Sequence, residues 1–164
     1  YIPDEPSVWP KMTGEEFLYF TAALYGINQK AAAKKIRELL PLFHLEKISG
    51  QYFEEYSRGN RQKISILAAL VHDPRLLIID EPIVGLDPTS AVIAQDIFSK
   101  FAKSGGAVLL VTHTLPVAQN LSRNIGILKN GRLTHEGSFA DLKKAARIRS
   151  RTATLEDIYT TLAS

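Results

Sequence analysis

Apolar residues recur at helical spacing through the first part of the chain. After Asp73-Pro74 they give way to short unbroken runs. From Thr13 to Tyr25, the positions Phe17, Phe20, Ala23 and Leu24 follow a helical period, behind a threonine suited to cap it and Glu16 at the third helical position. Gln29 to Leu40 repeats the pattern through Ala32, Ile36, Leu39 and Leu40, with Gly26 between the two segments. A third helix is predicted from about Arg61 to Val71, stopped by Asp73-Pro74. Beyond Arg75, the runs Leu76 to Ile79 and Val108 to Val111 are separated by a helical stretch, Ser90 to Lys103, and by Gly105-Gly106. Such runs, alternating with helices, predict parallel strands buried on both faces. Ile125 to Lys129 and Arg132 to His135 flank Asn130-Gly131, a pair that tolerates the left-handed conformation of a two-residue hairpin turn. Helices over Ser138 to Ala146 and Thr154 to Leu162 complete an α/β pattern without internal repeats or low-complexity segments.

Composition narrows the class. With 164 residues, 45% of them apolar, the chain is long enough for one domain or a large piece of one. Its longest apolar stretches, Ile66 to Val71 and Ala107 to Val111, fall far short of the roughly 18 residues of a bilayer span. The absence of cysteine removes disulfide frames and thiolate metal sites, and with no signal-like start it points to the cytosol. The formal charge of +3 is small. Its one basic cluster, Lys143, Lys144, Arg147, Arg149 and Arg151, suits a solvated helix face, so no nucleic-acid partner is expected. The opening Tyr1-Ile2-Pro3-Asp4-Glu5-Pro6, rich in proline, reads as a chain entered mid-domain.

The chemistry concentrates at three places. Leu76-Leu77-Ile78-Ile79-Asp80-Glu81-Pro82 sets two adjacent carboxylates at the end of an apolar strand, where open α/β sheets bind ligands. There Asp80 is suited to orient a hydrated Mg²⁺ and Glu81 to polarise a water against a phosphate; taken alone, the segment is equally an acidic turn. Ser57 and Gly59 precede a helix, where a hydroxyl, close backbone amides and the positive dipole end converge, as they also would in a plain serine cap. His113 ends the second apolar run. Asp87 before Pro88 reads as a helix cap.

Together these segments resemble a known family. Ile78-Ile79-Asp80-Glu81-Pro82 followed by Gly85-Leu86-Asp87-Pro88 is similar to the Walker B strand and D-loop of ABC transporter ATPases. Tyr56-Ser57-Arg58-Gly59-Asn60-Arg61-Gln62-Lys63 resembles their signature, and Val111-Thr112-His113 their H-loop. Thr154 to Tyr159 is similar to the tail of ATPases that serve bacterial two-component exporters. The resemblance implies a P-loop NTPase-like α/β fold, with a helical signature subdomain over about 7–72, part of a mostly parallel core sheet over about 73–135 and closing helices over about 136–164. It also implies ATP and Mg²⁺ as cofactors, a head-to-tail dimer with a second ATP-binding subunit, and an integral membrane permease met at the cytoplasmic face of the membrane. In that scheme Asp80 holds the metal, Glu81 activates water, and His113 stabilises the γ-phosphate. Ser57, Gly59 and Asn60 reach the nucleotide of the opposing chain, and Asp87 bridges to it.

The sequence departs from the family pattern at several positions. Arg58 and Asn60 replace the first glycine and the glutamine of the signature, Val84 a serine, and Asp4 the glutamine of a Q-loop in Tyr1-Ile2-Pro3-Asp4. A phosphate-cradling Gly-x-x-x-x-Gly-Lys-Ser/Thr loop is absent from these residues; in the family it precedes the Q-loop. The chain therefore reads as the C-terminal portion of an ATPase subunit. By itself it is expected to show negligible ATP affinity and no turnover, with unpaired strand edges prone to self-association. Two other readings remain: an ABC-type ATPase working in DNA repair or on the ribosome, and a catalytically degenerate regulatory module.

Overall fold

A computed structural model describes residues 1–163, which divide into two compact units, Tyr1–Val111 and the chain from Thr112 onward.

In the first unit, α1 (Gly14–Leu24) starts where sequence reading places it. Thr13 accepts the Glu16 amide at 3.1 Å and the Glu16 carboxylate accepts the Thr13 amide at 2.8 Å, so two otherwise orphaned donors are satisfied. Asn28 caps α2 (Gln29–Leu39), which tightens into a 3-10 turn over Leu40–Phe43 at Pro41. A second 3-10 turn, Phe53–Glu55, leads to α3 (Arg58–Leu70). This helix begins three residues before the predicted Arg61. The Ser57 hydroxyl accepts the Asn60 amide at 3.2 Å, so the cap rather than the apolar period sets the start.

Next come β1 (Leu76–Asp80), α4 (Pro88–Lys103) and β2 (Ala107–Val111). The strands pair in parallel, with Leu76 opposite Ala107 and Asp80 opposite Val111. On the other edge of β1, Ile2 forms a parallel bridge to Ile79 through two backbone bonds of 2.9 and 2.8 Å. Leu77 and Ile79 are buried in one core with Ala94 and Phe98 of α4 and with Ile64 and Leu67 of α3. Burial on both faces does not hold, however. Leu76 and Ile78 are 51% and 38% exposed, and Leu109 and Val111 are 55% and 48% exposed. Among the described residues the helices cover only one side of this pair, and the residues alternate as on a half-buried sheet.

The second unit has its own core of Ile125, Ile127, Leu142, Ala146, Leu155 and Ile158. It contains α5 (Leu115–Leu121), which the apolar pattern does not reveal, and an antiparallel hairpin of β3 (Ile125–Lys129) and β4 (Arg132–Gly137). Asn130 and Gly131 turn the hairpin with φ of 51° and 74°, as the dipeptide predicts. Ser138 and Asp141 form a capping box on α6 (Phe139–Ala145), and α7 (Leu155–Ala163) follows.

Candidate functional site

The end of β1 is pinned on both sides. Ile2 accepts the Asp80 amide at 2.8 Å, and Val111 accepts the Glu81 amide at 3.0 Å. Asp80 is half-buried, and its Oδ2 lies 3.5 Å from the Tyr1 hydroxyl, which donates to it. Glu81 then takes a φ of 44°, a left-handed conformation unusual for a residue with a side chain. Such strain persists only where the surroundings enforce it and concentrates at functional positions. It bends the chain sharply out of the sheet, and the turn continues through backbone bonds from Val84 to Glu81 and from Leu86 to Ile83.

That turn meets the start of α3. A Cβ on Gly59 would stand 2.9 Å from the Gly85 carbonyl oxygen, so only glycine permits this approach of two backbones. Gly85 itself has a φ of 82°, and the stem of Arg58 lies across it. Asp87 caps α4 by accepting the Ser90 amide at 2.9 Å and its hydroxyl at 2.6 Å, and it pairs with Lys63 of α3 at 3.2 Å. The Ser90 bonds first, and then Lys63, hold the Asp87 carboxyl well below the usual carboxylate range. Asp87 is thus both a helix cap and a tie between α3 and α4.

The sequence-derived residues therefore form one constellation in the first unit. Gly59 meets Gly85 with Ser57 and Asn60 on either side of it at the start of α3, Asp87 follows Gly85 by two residues, and Asp80 and Glu81 lie at the other end of the same turn. Asp4 reaches this group through Arg58, whose Nη2 lies 3.5 Å from Asp4 Oδ1. His113 is exposed, in the second unit between the end of β2 and α5. Sequence reading did not single out Tyr1, Gln62 or Lys63. Gln62 and Lys63 follow Asn60 and Arg61 in a polar opening to α3, so the apolar pattern does not mark them out. Gln62 is buried and donates to the Pro3 carbonyl at 3.1 Å.

Among the described residues no group of three or more histidine, cysteine, aspartate or glutamate side chains is placed to enclose a metal. Asp80 nonetheless fits Mg²⁺, which typically takes one or two carboxylates, phosphate oxygens and retained waters rather than a full protein cage.

The chain is 33% identical over 159 residues to the ABC-type transporter ATP-binding protein EcsA of Bacillus subtilis, covering 97% of this chain and 64% of the relative. It is 34% identical over 147 residues to the bacitracin transport ATP-binding protein BcrA of Enterococcus faecalis, covering 89% of this chain and 47% of that protein. The chain thus spans about half to two thirds of the length of these relatives. A solved ATP-binding subunit of an ABC transporter superposes with a TM-score of 0.92 at 32% identity, over all of this chain and 68% of that one. The ABC transporter family model matches residues 1–84, which carry the Asp80-Glu81 strand end and the serine-capped α3, and the chain belongs to that family.

Proposed function

We propose that this chain forms part of an ATP-hydrolysing subunit that drives a separate membrane permease, working as a head-to-tail dimer at the cytoplasmic face of the membrane. The observation that carries the reading is the pinned end of β1, where Asp80 and Glu81 leave the sheet beside the turn that meets α3.

Asp80 would hold Mg²⁺, which supplies charge neutralisation on the phosphates when bound. Glu81 orients and deprotonates the attacking water. His113 stabilises charge on the γ-phosphate, and Asp4 approaches the same region from the loop after Ile2. Ser57, Gly59 and Asn60 present a hydroxyl and the amides of a helix N-terminus to the nucleotide of the opposing chain, and Asp87 bridges to that chain.

The helical segment of about 7–72 is proposed to meet the permease. A groove of about 360 Å³ between α1, the end of α3 and the first residues supports this: Phe17, Tyr25 and His72 give it an aromatic wall, and Thr21 and Ser65 add hydroxyls. Bacitracin transport is ascribed by name to BcrA; the molecule moved here is a matter for the permease.

The test is ATP turnover by the full-length gene product, assembled with its permease. Glu81→Gln is expected to lower kcat by about 10²-fold or more while leaving ATP binding intact, the loss typical of a general base. Equal turnover in both proteins would remove Glu81 from the chemistry.

A further inference from the structure

Two departures from the family pattern, Asp4 and Arg58, are 54 residues apart in sequence and opposite in charge, and they meet in space. Arg58 Nη2 lies 3.5 Å from Asp4 Oδ1 and 4.0 Å from Glu5 Oε1. The placement needs an explanation, because Arg58 is the first residue of α3, where the helix dipole disfavours a cation. The two acids offset that penalty, while the arginine stem lies against Gly85, within 3.3–3.4 Å of where a Cβ would stand. One side chain therefore touches three segments: the loop after Ile2, the capped start of α3, and the turn that leaves Glu81.

The same loop is tied down twice more. Gln62 donates to the Pro3 carbonyl at 3.1 Å, and Ile2 is bonded to both Ile78 and Asp80. A closed circuit results, running from Asp80 through Ile2 and Asp4 to Arg58, across to Gly85, and back along the turn to Glu81.

We propose that Arg58 is a positioning residue: its ion pairs with Asp4 and Glu5 tie the Asp80 end of β1 to the Ser57-capped start of α3, so that the two move together. On the function proposed above, Asp80 serves one nucleotide and Ser57 the other. The link then passes a shift at one site to the other through a single chain. The pairs are partly exposed, so each is worth a small factor, about two- to fivefold, and is weakened by salt.

Amide hydrogen exchange over residues 2–6 and 57–61 tests the tie without reference to activity. Arg58→Gln is expected to speed exchange in 2–6 by about two- to fivefold, and Asp4→Asn with Glu5→Gln to do the same in 57–61. Combining all three changes should add nothing further, Arg58→Lys should restore most of the protection, and 1 M salt should loosen the wild type and Arg58→Lys but not Arg58→Gln. Unchanged exchange in Arg58→Gln, or effects that simply add, would overturn the proposal.

A second arm uses ATP turnover by the full-length protein with its permease, where Arg58→Gln should lower kcat and the Hill coefficient with little change in KM, and Arg58→Lys should recover both. A change confined to KM would overturn the positioning role. Absence of turnover in the wild type would instead count against the proposed function, with the exchange measurements still deciding the tie.

Discussion

Tyr56 shows how one side chain upstream of the signature helix stabilises its surroundings. It is only 4% exposed, its ring packs edge-on against Phe53 at 5.2 Å, and its hydroxyl donates to the Ile48 carbonyl at 2.7 Å. A Cβ on Gly14 would stand 2.4 Å from that hydroxyl, which explains the glycine at the first position of α1. Burial pushes the Tyr56 phenol up to about 12. A pKa raised in the folded state above an unfolded value of about 10 gives stability that is complete below pH 10 and lost as pH rises through 12. Tyr56→Phe cannot ionise and forfeits the bond to Ile48, so it should be less stable than wild type by about 1 kcal/mol at pH 8 and should decline less steeply between pH 10 and 12. Urea midpoints measured across that range check this; parallel declines would show that Tyr56 is not the group that titrates.

Among the elements, the capped helix starts were the most legible in the sequence, because a cap is a local device. Thr13 with Glu16, Asn130-Gly131 and Asp87-Pro88 each act within a few residues, and each forms as its residues predict. The start of α3 was misplaced because Arg58, Gly59 and Asn60 carry no apolar period, and only the Ser57 hydroxyl declares them helical. Contacts between distant segments were not legible. The pairing of Arg58 with Asp4, the bond from Gln62 to Pro3 and the left-handed Glu81 depend on tertiary neighbours that no local pattern encodes. The candidate residues were thus named from sequence, whereas the turn that gathers them was seen only in the fold. The capping box on α1 gives a direct check at this scale. Thr13→Ala removes the acceptor for the Glu16 amide and should destabilise the first unit by about 1 kcal/mol, whereas Thr13→Ser should stay within a few tenths of wild type. Chemical denaturation monitored at Trp9, the single tryptophan, reads this change; equal loss in both variants would assign it to packing of the threonine methyl instead of the cap.

At the scale of the whole molecule, the unresolved tension lies in the sheet of the first unit. Parallel strands are ordinarily covered on both faces, yet Leu76, Ile78, Leu109 and Val111 form an apolar strip on the face that no described helix covers. A contiguous strip of this kind, in addition to the open edge of β2, favours association with other exposed apolar surface. The face rather than the edge is the stronger drive, since four large side chains contribute to it and burying each is worth roughly 1–2 kcal/mol. The 164-residue chain should therefore show concentration-dependent association in sedimentation velocity. Leu109→Lys places a charge at the centre of the strip and should shift the protein toward monomer, with little change in thermal stability because the residue is already largely outside the core. A matching change at Leu24, exposed at the end of α1 and remote in sequence from the sheet, provides the contrast. If Leu24→Lys disperses the protein and Leu109→Lys does not, the helix face and not the bare sheet drives association.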